Sequence, residues 1–321
     1  MSLRNVFRAS AVLVAGLTVA SAALAEYPVK PVRMIIPYGQ GGATDAIGRM
    51  VADPLSKALG VPVVVTNQPG AGGAVGVAAA MGAAADGYTI VVGSDSSLSA
   101  RPLMTESGYT IDSMQAVARA VEAPMTFIVA ESSEINTIDD LLAKMADGNL
   151  VWSSPGVGSG PFLGAETFFN QKGVQAQHVT ADSAGEAIIK VLSGEVQMAS
   201  VVGSNIAGMI GDPAQPIKVI GVAATERWER LADSPTFAEQ GHPFDRPVWF
   251  GFVAPAGTPA EAVDRLSVEI EKILTSPESA ELLSTFHMTP AFQNPEEFTA
   301  QIKAEADSLA VVLEALGMAR E

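Results

Sequence analysis

A short strand followed by a glycine-rich turn and a helix is the feature that most constrains this chain. Residues Val32 to Ile36 form an apolar run that is typical of a buried strand. The three glycines between residues 39 and 42 then let the backbone turn sharply and approach a ligand closely. Thr44 or Asp45 is predicted to cap a helix that continues to Leu59. A turn of this kind makes either an anion site, built from free N–H groups, or an ordinary strand–helix connection.

The first 25 residues are predicted to be a secretory signal peptide. Arg4 and Arg8 give a basic start, residues Ala11 to Leu24 are mostly apolar, and an A-x-A cleavage site ends at Ala25. The apolar core is too short for a convincing membrane span, and no later stretch reaches the required length. The mature chain, beginning at Glu26, is therefore expected in the periplasm without stable membrane insertion.

The charge and the cysteine content exclude several classes of partner. The net charge is −16 over 321 residues and becomes −18 once the leader is removed. Such an acidic protein repels nucleic acid and anionic lipid, so neither is an expected partner. The chain has no cysteine, which excludes disulfides and a lipid-anchor cysteine. A hydrophobic content of 48% argues against disorder and allows one large or two medium domains.

Apolar strand-like runs alternate with helical patterns along the mature chain, which predicts parallel βαβ units. The predicted strands are Val32–Ile36, Pro62–Thr66, Tyr88–Gly93, Met125–Ala130, Leu150–Ser153, Gln177–Thr180, Gln197–Val202, Lys218–Ala223 and Val248–Val253. The other predicted helices are Ala74–Ala84, Phe162–Gln171, Ala184–Leu192, Ala260–Thr275 and Pro295–Leu316. A polar loop is predicted at Ser94–Ser97, after the third strand.

A series of motifs from about Tyr27 to the C-terminus carries a family resemblance. The motifs are Tyr27–Arg33, Pro37–Asp45, Asn67–Gly73, Asp86–Thr89, Gly158–Ser159, Pro235–Glu239 and Phe252–Pro259. No single motif is diagnostic, but in this order the chain resembles the periplasmic substrate-binding proteins of tripartite tricarboxylate transporters, the Bug receptor family.

The resemblance implies an α/β fold of the two-lobed periplasmic binding protein (Venus-flytrap) type, with a ligand cleft between two α/β domains. The expected boundaries are residues 26–124 for the first part of lobe 1, 125–247 for lobe 2 and 248–321 for the return to lobe 1. Crossover strands near residues 125–130 and 248–253 are expected to form the hinge. The resemblance also implies a receptor that hands an organic anion, usually a carboxylate, to membrane permease subunits. We expect it to act as a monomer without a cofactor.

Two departures from the family pattern leave the identity of the anion open. Relatives often carry an aromatic–basic–glycine run where this chain has Thr180–Gly185. Many relatives also place a histidine at the position of Phe162. Both segments are expected to face the ligand from lobe 2.

An anion site in a protein of charge −18 has to act locally, through N–H groups, helix N-termini and hydroxyls. Loops at the carboxyl ends of strands are the expected positions. The candidate ligand contacts are Tyr38, Gln40, Gly41, Gly42, Thr44, Asp45, Ser94, Ser96, Ser97, Ser154, Gly158, Ser159, Asp182, Ser183 and Asn205. If more than one of Asp45, Asp95 and Asp182 faced the cleft, an amino acid would become a plausible ligand. Helix capping is the alternative role for Asp45.

A dinucleotide-binding protein and a secreted α/β enzyme are the two alternatives. The glycines between Gly70 and Gly76 follow a strand and open a helix, as in a dinucleotide fold, but their spacing is G-x-G-x-x-x-G. An enzyme would need a nucleophile or base held by a second group. The chain has no G-x-S-x-G elbow, so no serine is expected to have a positioned base. His178, His242 and His287 lack metal-ligand spacing, and we expect them on the surface or in packing roles, with no metal.

Overall fold

A computed structural model describes residues 27–320, so the predicted signal peptide and its cleavage site lie outside the described residues. The strands are β1 (Val32–Ile36), β2 (Val63–Asn67), β3 (Thr89–Ser94), β4 (Met114–Ala130), β5 (Val151–Ser154), β6 (Gln177–Thr180), β7 (Met198–Val202), β8 (Ile217–Ala223), β9 (Pro247–Pro255) and β10 (Thr289–Gln293). The helices are α1 (Ala43–Leu59), α2 (Ala74–Met81), α3 (Arg101–Met104), α4 (Ile138–Ala146), α5 (Gly160–Lys172), α6 (Ala184–Leu192), α7 (Ala260–Leu274), α8 (Pro277–Thr285) and α9 (Pro295–Ala315). Over this range, the helices are all too short or too polar to cross a membrane.

The first lobe is built on a sheet with the strand order β2-β1-β3-β9-β4. β1 lies parallel to β2 and β3, as the βαβ pattern predicts, while β9 runs antiparallel to β3 and β4. Four of the five β1 residues are buried because helices cover both faces of the sheet. Ile47 and Val51 of α1 pack with Leu266 of α7 on one face. Val77 of α2 and Phe298 of α9 pack on the other.

The second lobe repeats this plan with a smaller sheet. β5 lies parallel to β6 and β7, and β4 pairs antiparallel with β7 and β8. Ile138 of α4 and Phe168 of α5 belong to the core on one side of the sheet. Ile188 and Val191 of α6 belong to the core on the other side. Each lobe therefore has hydrophobic cores of its own.

β4 and α9 connect the two lobes. Met114–Pro124 of β4 pairs with β9 in the first sheet, and the remaining residues, Met125–Ala130, pair with β8 in the second. Helix α9 contributes Phe298 to a core of the first lobe and Leu309 to a core of the second. The two-lobed α/β architecture predicted from the sequence is confirmed.

The prediction of a polar loop at Ser94–Ser97 is wrong. Ser94 is the last residue of β3, and a helical turn, Ser96–Ala100, leads directly into α3. Ser97 and Ser99 are fully buried in this turn. The hydroxyl of Ser97 bonds to both the N–H and the carbonyl oxygen of Ser94, at 3.0 and 3.3 Å. A serine that satisfies backbone groups in this way can be buried at little cost.

Candidate ligand-binding site

The amino end of α1 is left without a side-chain cap. The N-cap residue is Gly42, in an extended conformation, and no side chain accepts a hydrogen bond there. The prediction that Thr44 or Asp45 caps this helix is therefore wrong. Thr44 is the second helical residue and is buried, whereas Gly41 to Ala43 are exposed. The first N–H groups of a helix have no intrahelical partner, so they are available to a ligand here.

Asp45 stabilises the turn from inside. Its carboxylate accepts hydrogen bonds from the N–H of Gly41 at 3.0 Å, from Arg49 Nε at 3.0 Å and from Asn67 Nδ2 at 2.8 Å. Burial by itself raises the pKa of Asp45, but these hydrogen bonds outweigh it and lower the pKa to about 2. The carboxylate is thus ionised and already engaged by the protein.

Tyr38 joins the turn before α1 to the loop before α2 and to the end of β3. Its hydroxyl donates to the carbonyl oxygen of Gly72 at 3.3 Å and lies 3.5 Å from Ser94 Oγ. A Cβ placed on Gly73 would come within 3.0 Å of the Tyr38 hydroxyl and 3.1 Å of Ser97 Cβ. The glycines that resembled a dinucleotide loop therefore make room for the protein's own side chains.

The end of β3 contacts the second lobe through two neighbouring residues. Ser96 Oγ donates to the carbonyl oxygen of Gly158 at 2.9 Å. Asp95 is only 2% exposed, and a Cβ on Gly160 would lie 2.5 Å from its Oδ2. Burial raises the pKa of Asp95 to about 7, and the negative charge of Glu305 adds to this effect.

Ser154 and His178 form a hydrogen-bonded pair in the second lobe. Ser154 Oγ lies 2.9 Å from His178 Nε2, so the expectation that no serine has a positioned base is wrong. The His178 ring packs between Trp152 and Phe162, with centroids 4.5 and 4.9 Å away, and burial lowers its pKa to about 4. Because Ser154 is 0% exposed, a substrate carbonyl has no path to its hydroxyl, and the pair is a packing feature.

The other second-lobe candidates serve local structure or are exposed. Ser159 caps α5 by accepting the N–H of Phe162 at 3.3 Å, and Ser183 caps α6. Asp182 is exposed beside that cap, and Asn205 is exposed at the end of a short 3-10 turn. In the first lobe, Gln40 is exposed in the turn before α1.

Arg101, the first residue of α3, is the charged side chain that the sequence analysis missed. Its guanidinium packs on Gly72, where a Cβ would overlap it, and its Nη2 lies 3.9 Å from the Cβ position of Gly158. Its Nε is buried and has no hydrogen-bond partner among residues 27–320. A single arginine after a run of serines gives no sequence signal. The fold nevertheless brings a cation into the region where loops of both lobes meet.

Comparison with known proteins identifies one family for this chain. The family model described as the tripartite tricarboxylate transporter family receptor, TctC, matches residues 47–318. Protein BugT of Bordetella pertussis is 29% identical over 325 residues, which is 98% of this chain and 98% of BugT. A TctC solute-binding protein from Polaromonas has a TM-score of 0.80 at 26% identity and covers 90% of this chain and 99% of its own.

A third similar protein was solved with a ligand. This R. palustris protein, with adipate, has a TM-score of 0.75 at 25% identity and covers 91% of this chain and 99% of its own. The family model spans most of the chain, and the fold agrees with it. The protein therefore belongs to the tripartite tricarboxylate transporter receptor family, whose members are periplasmic solute-binding receptors and not enzymes.

Proposed function

We propose that this receptor binds a small carboxylate in the cleft between its lobes and delivers it to the membrane permease subunits of a tripartite tricarboxylate-type transporter. The proposed site is formed by the fifteen loop residues named from the sequence, at the carboxyl ends of strands in both lobes. Ser97 and Ser154 are 0% exposed, so we propose that they support these loops and that the other residues contact the ligand. The adipate bound to the similar R. palustris protein supports a carboxylate as the ligand class. Secretion to the periplasm through cleavage after Ala25, and action as a monomer, are part of the proposal.

The uncapped amino end of α1 is the observation that carries this proposal. The partial positive charge of a 17-residue helix and its free N–H groups attract a carboxylate at short range. The nearest acid, Asp45, does not compete, because Arg49 and Asn67 already engage it. A local site of this kind works even though the net charge of the chain is −16.

The aspartates favour a carboxylate without an amino group over an acidic amino acid. An ammonium group would need an ionised carboxylate that is free to pair with it. Asp45 is ionised but engaged by three donors, and the carboxyl of Asp95 is buried with a raised pKa. Asp182 remains as an exposed acid in the second lobe, on a loop separate from both.

Lobe 1 is assigned to residues 26–124 and 248–321, and lobe 2 to residues 125–247. The change of partner of β4 after Pro124, from β9 to β8, supports this division. We expect the lobes to close on the ligand by bending near this point and at the start of β9, since periplasmic receptors close by hinge motion.

A ligand screen on the purified mature protein tests the proposal. Thermal melts with monocarboxylates, dicarboxylates, tricarboxylates and amino acids should show stabilisation by a carboxylate, followed by titration calorimetry to obtain Kd. A ligand present at 100 times its Kd adds about 2.7 kcal/mol to the free energy of unfolding. Stabilisation by amino acids alone would contradict the ligand class, and turnover of a bound compound would favour the enzyme alternative.

A further inference from the structure

We propose that Arg101 binds a second carboxylate of the ligand and thereby makes the receptor select dicarboxylates over monocarboxylates. This inference rests on the proposed function, because it concerns the same cleft. Arg101 would determine specificity, because the amino end of α1 alone offers a site for only one carboxylate.

The side chain of Arg101 lies where loops of the two lobes meet. The side chain extends from α3 of the first lobe and packs on Gly72, which has a left-handed φ of +64° and no Cβ that would exclude the guanidinium. Nη2 is 3.9 Å from the Cβ position of Gly158, in the loop before α5 of the second lobe. The guanidinium therefore lies beside loops of both lobes, where a ligand in the cleft would contact it.

The guanidinium of Arg101 has no partner among residues 27–320. Arg119 and Arg246 also have a buried Nε without a hydrogen-bond partner, but other nitrogens of their guanidinium groups pair with Glu122 and Glu305. Across residues 27–320, Arg101 forms no ion pair within 4.0 Å, and its buried Nε has no hydrogen-bond partner. Arg101 differs from these two arginines in that no nitrogen of its guanidinium has a partner among residues 27–320, which leaves all of its donors free to bind a ligand.

The chemistry of the guanidinium identifies the missing partner. Its planar set of N–H donors matches a carboxylate in two parallel hydrogen bonds. Tyr38 connects this group to the first carboxylate site, because its hydroxyl bonds to Gly72 at 3.3 Å while its backbone belongs to the turn before α1. One carboxylate at the amino end of α1 and another at Arg101 would thus be held by adjoining loops.

Matched diacids and monoacids test this assignment by calorimetric titration of the mature protein. The pairs are succinate with butyrate, glutarate with pentanoate, and adipate with hexanoate. The wild type should bind at least one diacid more tightly than its matched monoacid. Arg101→Gln should weaken the binding of that diacid about ten- to hundredfold, the range for a lost charge-assisted hydrogen bond, and should change monoacid affinity less than about twofold.

Arg320→Gln is the control for charge. It removes the same positive charge from an exposed side chain whose nearest acid, Glu106, is 3.8 Å away. This variant should bind both ligand classes like the wild type. Arg101→Lys keeps the charge but loses the planar fork, and it should show a diacid loss between those of the wild type and Arg101→Gln.

Either of two results would overturn the role of Arg101 and leave the proposed function intact. They are unchanged diacid affinity in Arg101→Gln, and equal losses for diacids and monoacids. If thermal melts show that Arg101→Gln does not fold, the same comparison in Arg101→Lys decides, and an unchanged diacid affinity or equal losses for the two classes in that variant would refute the inference. If the wild type binds no carboxylate at all, the proposed function fails first and this inference fails with it.

Discussion

The hydroxyl of Ser96 donates to the carbonyl oxygen of Gly158 at 2.9 Å, and this hydrogen bond joins the two lobes. Ser96 begins the helical turn after β3, and Gly158 precedes α5. Met104 strengthens the same junction, since its Sδ lies 3.1 Å from the Cβ position of Gly158. The lobes are therefore in direct contact through the loops that we propose bind the ligand.

Replacing Ser96 with alanine should weaken ligand binding more than it weakens the fold. The variant loses one interlobe hydrogen bond, which contributes about 1 kcal/mol, or about fivefold in Kd if the bond forms only in the closed state. Calorimetric titration and thermal melts on the same protein separate the two effects. Ser193→Ala is the matched control, because its hydroxyl bonds only to the exposed end of α6. Equal affinities of Ser96→Ala and the wild type would contradict a role in closure.

The strand–turn–helix unit at the start of the chain was predictable, and the buried turn after β3 was not. β1 has the predicted bounds because four of the five residues in Val32–Ile36 are apolar and buried, and only Arg33 is polar. The turn at Ser96–Ala100 begins with two serines that follow Ser94 and Asp95, and this polar run indicates a loop by composition. Its burial depends on contacts such as the Tyr109 hydroxyl donating to Ser97, which only the folded chain brings together.

The first part of β4 and the position of Arg101 could not be predicted from the sequence, for similar reasons. Residues Met114–Pro124 contain Arg119 and Glu122, which pair with each other and interrupt the apolar pattern of a strand. The apolar pattern therefore predicts a strand that begins only at Met125. Arg101 is likewise isolated in the sequence, and its proximity to Gly72 arises from tertiary packing.

Thr44→Val should lower affinity without lowering stability. Thr44 is 6% exposed, and its hydroxyl forms no hydrogen bond with residues of the described chain. Valine keeps the shape, so we expect the melting temperature to change by no more than about 2 °C, since 1 kcal/mol corresponds to about 2–4 °C for 150–250 residues and to less in a longer chain. If the hydroxyl contacts the ligand, affinity should fall about tenfold or more. Unchanged affinity would remove Thr44 from the proposed site.

Ligand binding should make the protein more compact in solution. β4 changes sheets after Pro124, and Pro124 pairs with Pro247 at the start of β9, so these adjacent positions form a natural hinge. Small-angle scattering should show a smaller radius of gyration at saturation with a tight ligand than without one. The same comparison in Arg101→Gln, at ligand concentrations that no longer saturate it, serves as the control. Identical profiles for the free and saturated wild type would argue for a rigid site.

Asp95→Asn should change how stability depends on pH. The carboxyl is buried beside Gly160, Glu305 adds negative charge nearby, and Arg246, itself bonded to Glu305 at 2.8 Å, offsets part of this. Together these effects raise the pKa of Asp95 from 3.8 to about 7. The folded state then binds the proton more tightly than the unfolded state, so this residue's contribution to stability is complete below about pH 4 and is lost as the pH rises toward 7.

Asparagine resembles the protonated carboxyl and cannot ionise, so the variant should escape that loss. The stability advantage of Asp95→Asn over the wild type should therefore be larger at pH 8 than at pH 5, by about 1.4 kcal/mol for each pH unit between pH 5 and the folded-state pKa of about 7. Urea unfolding at both pH values measures this difference. The titrations of Asp45, Glu166 and His178 also affect each profile, but they are common to both proteins and cancel in the comparison. A difference in stability that is the same at pH 5 and pH 8 would show that Asp95 does not titrate in this range in the folded protein.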